Sequence, residues 1–250
     1  MLYLILFIIT ILIVYYFVNF RYLLPKKKVN DIPIKNILIG LPTIDRDVHL
    51  SPLIYKALKE ATEDLQDINF SLLSIMRKQD TESYNFWKDK SSIITIDNYQ
   101  INKRHNFDKM SYIFNIIKEE ARNYDALMYL ESDILINRDS IKKLVDSLKF
   151  SHVSLFPFET PWAGYPVIVK DDIFYKIENS RNLKKDQYIL GHGTGCMLLN
   201  KQVIEDKNIK FDKKEIFGIN GQDVGFFDNL NKHGYKTWLV NEELTHLYNH

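Results

Sequence analysis

Short apolar runs alternate along most of this chain with longer stretches whose apolar residues recur every three or four positions. Ile37-Leu38-Ile39-Gly40-Leu41 reads as a compact strand stopped by Pro42. A helix should follow, with Ser51 as its N-cap, Pro52 at its first position, and Leu53, Ile54, Ala57, Leu58, Ala61 and Leu65 at helical spacing. Two further strands are expected over 69–75 and 93–96, then a helix over 109–122 that buries Met110, Ile113, Phe114 and Ile117. The run 124–130 is a buried strand, and the helix after Asp139 buries Ile141, Leu144, Val145 and Leu148. Strand and helix in this cadence predict an α/β fold with parallel strands. Ligands of such sheets bind outside the carboxyl ends of the strands. The second half predicts strands near 152–156, 166–169, 196–199 and 236–240, and a helix over 222–232 ended by Gly234.

The first segment has a different pattern. Residues 2–20 are almost all Leu, Ile, Val, Phe and Tyr and carry no charge. Nineteen helical residues reach roughly 30 Å, the thickness of a bilayer core, and Tyr15, Tyr16 and Tyr22 sit toward one end as interfacial aromatics do. A cleaved signal peptide would want a basic start, a shorter apolar run and a small-residue cleavage site. The expected organisation is therefore a transmembrane anchor over 1–20, a basic linker over 21–34 with Pro25 and Pro33, and a folded domain over 35–250. Arg21, Lys26, Lys27 and Lys28 favour a cytoplasmic domain by the positive-inside rule. The sequon Asn69-Phe70-Ser71 leaves the lumenal side open.

Composition adds exclusions. Lys and Arg number 33 against 32 Asp and Glu, without the basic excess of a nucleic-acid binder. Cys196 is the single cysteine, so no disulfide forms within the chain and the core alone must hold it.

Four clusters carry candidate chemistry. The strand 124–130 runs into Glu131-Ser132-Asp133, whose two acids lie on the same side of an extended chain. There they can hold a hard divalent cation and, through it, a diphosphate, or they can simply begin the next turn. Pro42-Thr43-Ile44-Asp45-Arg46 after the first strand offers hydroxyl, carboxylate and guanidinium groups to a base, ribose or phosphate; an ordinary turn is the alternative. Gly191-His192-Gly193-Thr194-Gly195 crowds three of nine glycines into five residues, which suits either close approach of a ligand or a plain turn. Gly221-Gln222-Asp223 opens a helix, where Asp223 is either a cap or a general base. His246 follows the last expected strand and can return to the acids.

In order and spacing these clusters resemble a glycosyltransferase of the GT-A fold, most like family 2. Leu41-Pro42-Thr43-Ile44-Asp45-Arg46 is similar to that family's P-T-x-N-R loop, with Asp45 where Asn is usual, and Leu130-Glu131-Ser132-Asp133 to its Asp-x-Asp motif, with Glu131 in place of the first Asp. Gly195-Cys196-Met197-Leu198-Leu199 resembles the strand beside the acceptor site. Gly221-Gln222-Asp223-Val224-Gly225-Phe226 resembles the G-E-D-x-x-F motif, and Gly234-Tyr235-Lys236-Thr237-Trp238 with His246 the closing segment. The resemblance implies a GT-A-like catalytic domain with a Rossmann-like half and a mixed central sheet. It implies donor contacts from Pro42, Thr43, Arg46 and Glu131, and Mn²⁺ or Mg²⁺ on Asp133 and His246. It implies Asp223 as the base of an inverting hexosyltransferase-type reaction, in which a nucleotide-sugar donor serves a glycan, lipid or protein acceptor. Since aromatic faces suit sugar rings, it makes Trp162, Tyr165 and His192, with Gly193, the candidates for acceptor contact, although core packing explains Trp162 equally well.

Two other classes fit the same residues. One is a membrane-anchored sugar- or nucleotide-binding protein on a degenerate transferase fold, consistent with Glu131 and Gln222. The other is a metal-dependent phosphoesterase using Glu131, Asp133 and Asp223, although such sites gather more His and Asp ligands.

Overall fold

The computed structural model describes residues 3, 7–10, 26–97, 106–159, 163–170, 176–216 and 219–247. Most of the expected span 2–20, the first part of the basic linker, and Trp162 lie outside the described residues. Among the described residues no helix is long and apolar enough to cross a membrane.

An eight-stranded mixed sheet organises the domain. Its first half is wound as strand and helix in turn: β1 (Asn36–Pro42), α1 (Ser51–Glu63), β2 (Asn69–Arg77), α2 (Thr81–Trp87), β3 (Ser92–Ile96), α3 (Asn106–Glu120) and β4 (Ala126–Leu130). These four strands are parallel and lie in the order β3-β2-β1-β4. Winding therefore reverses between β1 and β4, and the crevice opens at their carboxyl ends. A short β5 (Ile134–Leu135) and α4 (Ser140–Ser147) come next.

The second half adds β6 (Val153–Leu155), the hairpin β7 (Val167–Lys170) and β8 (Lys176–Asn179), β9 (Gln187–Ile189), β10 (Cys196–Asn200) and α5 (Lys201–Glu205). It continues with β11 (Lys214–Ile216), β12 (Ile219–Gly221), α6 (Gln222–Lys232), β13 (Thr237–Leu239) and β14 (Thr245–His246). Beyond β4 the sheet continues β10-β6-β13-β9, with β10 antiparallel to both of its neighbours.

All five residues of β4 are buried, because both faces of the sheet are covered. Leu127 and Tyr129 face a core with Phe114 of α3 and Phe226 of α6. Ala126, Met128 and Leu130 face the opposite core, with Ile54 and Leu58 of α1 and Leu144 of α4. Ser51 does not cap α1: it is the first helical residue, and a 3-10 turn over Asp45–Leu50 runs directly into it. Gly234 has φ +75° after α6, a conformation that costs other L-residues about 1–2 kcal/mol.

The segment from residue 26 is docked along the amino edge of the sheet. The Lys27 ammonium lies 3.2 Å from Asp206 and 3.8 Å from the centre of the Tyr235 ring, and its backbone N–H donates to the Gly234 carbonyl. Buried His152 accepts from the Lys236 N–H through Nδ1, which leaves its Nε2–H to donate to the Lys28 carbonyl at 3.3 Å.

Burial, with the charges of Lys236 and Lys27, lowers the His152 pKa to about 4 against the partial support of the Lys28 carbonyl. The unfolded chain then binds the extra proton below the ordinary histidine value of about 6.5. Stability should therefore fall as pH drops from about 6.5 to 4, by up to about 3 kcal/mol from this group, and urea unfolding of His152→Gln should lose that part of the slope. A β-carbon on Gly225 would overlap the backbone carbonyl oxygen of Asp212, so Gly225→Ala should cost about 3 kcal/mol in the same measurement.

Candidate functional site

The loop after β1 reaches the crevice in a fixed shape. The Thr43 N–H donates to the Ile75 carbonyl at 2.9 Å, and Asp45 accepts the Ser83 N–H at 2.8 Å at the start of α2. Arg46 makes a two-pronged bond to buried Asp47 at 2.7 and 2.9 Å. Its guanidinium is otherwise 69% exposed, and the charge of Asp133 reaches it. Asp47 thus aims a cation toward the acids that end β4.

Those acids meet His246 through two short strands. β14 pairs antiparallel with β5, placing His246 opposite Ile134, and the Leu247 N–H donates to the Asp133 carbonyl at 2.6 Å. His246 Nε2 then lies 3.2 Å from Asp133 Oδ2, while Nδ1 bonds to the Glu159 carbonyl at 2.8 Å. A carbonyl can only accept, so Nδ1 carries a proton. The neutral ring would turn its Nε2 lone pair onto a carboxylate oxygen, an arrangement that needs a positive centre. A proton supplies one: burial disfavours the charged ring, but the bonds to Asp133 and Glu159 and the charges of Asp133 and Glu131 outweigh it and raise the His246 pKa.

A divalent cation would supply the other. Two ligands of an octahedral cation stand about 3 Å apart, close to the separation found, and a histidine donating its second N–H to a backbone carbonyl has the support common in metal sites. Among the described residues no group of three or more His, Cys, Asp and Glu is placed to hold a metal ion. A pair of protein ligands suits a hard cation that keeps waters and takes phosphate oxygens.

Arg181 braces this corner. It bonds to Glu159 at 2.9 Å and to Glu243 at 2.7 Å, tying together the two segments that orient His246. Neither Arg181 nor Glu159 is recognisable from sequence, since Glu159 contributes a backbone carbonyl and Arg181 is a surface residue far away in the chain.

Glu131 is half-buried beside the other acids. Desolvation and the charges of Asp133 and Asp223 lift its pKa to about 7 against the pull of His246. Asp223, near the start of α6, accepts the Val224 N–H at 2.9 Å, and burial raises its pKa over the opposing effect of its backbone bonds. Glu131 therefore lies within electrostatic reach of both Asp133 and Asp223. A β-carbon at Gly221 would collide with the Asp223 carboxylate, which is folded back over that glycine.

The glycine turn meets side chains. Positions 193 and 195 leave room for the Phe158 ring, whose tip lies 2.7 and 2.8 Å from where their β-carbons would be, and Gly191 faces Phe227. Phe158 also contacts the rings of His192 and His246, with centroids 5.0 and 5.6 Å away. Burial lowers the His192 pKa to about 4, so its ring is neutral; Nδ1 faces the Gly193 carbonyl and Nε2 has no partner. Thr43 Oγ1, Thr194 Oγ1 and Gln222 Oε1 are likewise buried and unpartnered. Buried polar atoms are rarely left so, and these four fall in three of the four clusters picked out from sequence. Tyr165 is exposed, and Trp162 lies outside the described residues.

No protein-family model matches the chain, and no curated protein matches it in sequence. Solved structures do resemble it. Residues 1–349 of Staphylococcus aureus TarS, a GT-A-like glycosyltransferase, align at 12% identity with a TM-score of 0.54, over 84% of this chain and 60% of theirs. The same TarS fragment in complex with UDP gives 12% and 0.49 over the same shares. A197 from STIV gives 16% and 0.48 over 86% of both chains.

The charge on His246 has a direct test in the metal-free protein. Its ring should titrate above an ordinary histidine, and Asp133→Asn should bring that titration down, both read from the ring proton by NMR. At the identity found, the TarS likeness establishes the fold alone: a mixed α/β domain with a large central sheet.

Proposed function

We propose that this domain is a glycosyltransferase that moves a sugar, of hexose type, from a nucleotide-sugar donor to an acceptor hydroxyl with the help of Mn²⁺ or Mg²⁺. The observation that carries the reading is the Asp133–His246 pair, at the carboxyl end of β4 beside the reversal in strand order. The shared fold supports it. Asp133 and His246 would hold the cation, which when bound neutralises charge on the departing diphosphate. Arg46, held by Asp47, would face the same diphosphate, while Pro42 and Thr43 would border the nucleotide and Glu131 the ribose.

Asp223 is the proposed base. Its raised pKa suits it to take the acceptor proton as the hydroxyl oxygen bonds to the anomeric carbon and the nucleoside diphosphate leaves. The acceptor, a glycan, lipid or protein hydroxyl, would lie toward His192, Gly193 and Trp162. Residues 2–20 are proposed as the anchor, with the domain on the cytoplasmic side by charge.

A panel of nucleotide sugars with Mn²⁺ tests the donor. The matching one at 100 times its Kd should stabilise the protein by about 2.7 kcal/mol, a rise in Tm of several degrees that chelation by EDTA abolishes. Absence of any shift across the panel would refute the reading. Asp133→Ala should abolish the Mn²⁺-dependent shift. Asp223→Asn should keep it while turnover falls roughly 10²–10⁴-fold, which also separates an enzyme from a binding protein. Arg181→Ala should weaken Mn²⁺ binding by about 10-fold in calorimetry, because the bracing of His246 is lost.

A further inference from the structure

The edge of the sheet opposite the candidate site has its own chemistry. Residues 26–32 lie along the amino ends of β6 and β13, held by Lys27 on Asp206 and Tyr235 and by the Lys28 carbonyl on His152 and Gln202. Two of the large apolar side chains exposed among the described residues, Phe150 and Tyr188, at 41% and 46% exposure, meet at the same corner. The Tyr188 hydroxyl donates to the Phe150 carbonyl, and both rings stand edge-on to Trp238, with centroids 4.8 and 4.6 Å away. Lys28, Lys149 and Lys236 belong to the same edge. Asp31, within the field of Lys149, and Asp146, held by Lys142 and Lys149, are acids of this corner. A tyrosine that is apolar at one end and polar at the other, beside an exposed phenylalanine and flanked by lysines, is the composition of a bilayer interface.

The chain itself leads there. The uncharged run ends at Phe20 and the docked segment begins at Lys26, a span of at most about 20 Å even when fully extended. We propose that the amino edge of the sheet, with Phe150, Tyr188 and the lysines around them, is a surface that rests on anionic phospholipid. This rests on the anchor in the proposed function, though not on the sugar-transfer chemistry. β1 rises roughly 20 Å from that edge to Pro42, so the candidate site faces away from the bilayer. The acceptor hydroxyl it reaches is then one that extends into water, on a glycan or protein chain, rather than one lying in the headgroup layer.

The test uses the full chain in vesicles of phosphatidylcholine with and without phosphatidylglycerol. Cys196 is buried, so a fluorophore on Lys149→Cys or Tyr188→Cys marks the proposed surface, and one on Lys78→Cys marks the opposite edge. A nitroxide carried on the lipid headgroup should quench the first two several-fold more than the third, and more strongly when phosphatidylglycerol is present. Failure of the chain to float with vesicles overturns the proposal together with the anchor. Flotation with equal quenching at all three sites, or quenching lost on dilution as a second copy of the chain dissociates, overturns the surface alone. Donor-induced stabilisation, measured separately, shows whether the transferase reading stands or falls independently.

Discussion

The candidate site depends on a ladder of two residues. Without β14 beside β5, Asp133 would be an acid ending a strand and His246 a surface side chain. The pairing converts them into a pair 3.2 Å apart whose geometry demands a positive charge. The Glu159 carbonyl fixes which ring nitrogen faces the acid, and Arg181 fixes the two segments that carry these groups. Local chemistry and chain topology meet at this point, where the order of the parallel strands reverses and leaves a crevice.

Much of the architecture was legible in the sequence because the strands are buried on both faces. The apolar run of β4 and its abrupt acidic end need no neighbour to be read, and Gly234 follows from the backbone conformation that ends α6. What escaped depends on partners far away in the chain. α2 has an aromatic and polar sequence, and its Trp87 is buried against Tyr55 and Phe86, which periodicity does not foretell. β9 and β14 are three and two residues long, too short for any alternation to show. Ser51 had the chemistry of a cap, but the turn before it was already helical in hand and took the cap's place. The glycine turn read equally as a place for a ligand to come close or as a plain turn, and the groups that approach Gly191, Gly193 and Gly195 within the protein are Phe227 and Phe158.

The electrostatics of the crevice oppose stability. Glu131 and Asp223 are carboxylates driven toward neutrality by burial, and Glu131 also feels both of the other acids. Several hydroxyl, imidazole and amide groups nearby have no partner. A domain selected only for folding would replace such groups with apolar ones of similar volume. The aromatic core beneath them, with Phe211 stacked on Phe226 at 4.2 Å and Tyr129 bonded to the Phe114 carbonyl, shows how well this chain packs where nothing else is asked of it.

The pairing of β14 with β5 also sets a timetable. Its two strands are separated by more than a hundred residues, so a ribosome will have released the Rossmann-like half long before His246 emerges. The parallel strands can associate early, while Asp133 waits without its histidine. The parallel half of the sheet is therefore complete in sequence well before the residue that gives Asp133 its partner, and the two-residue ladder closes only after that half is in place.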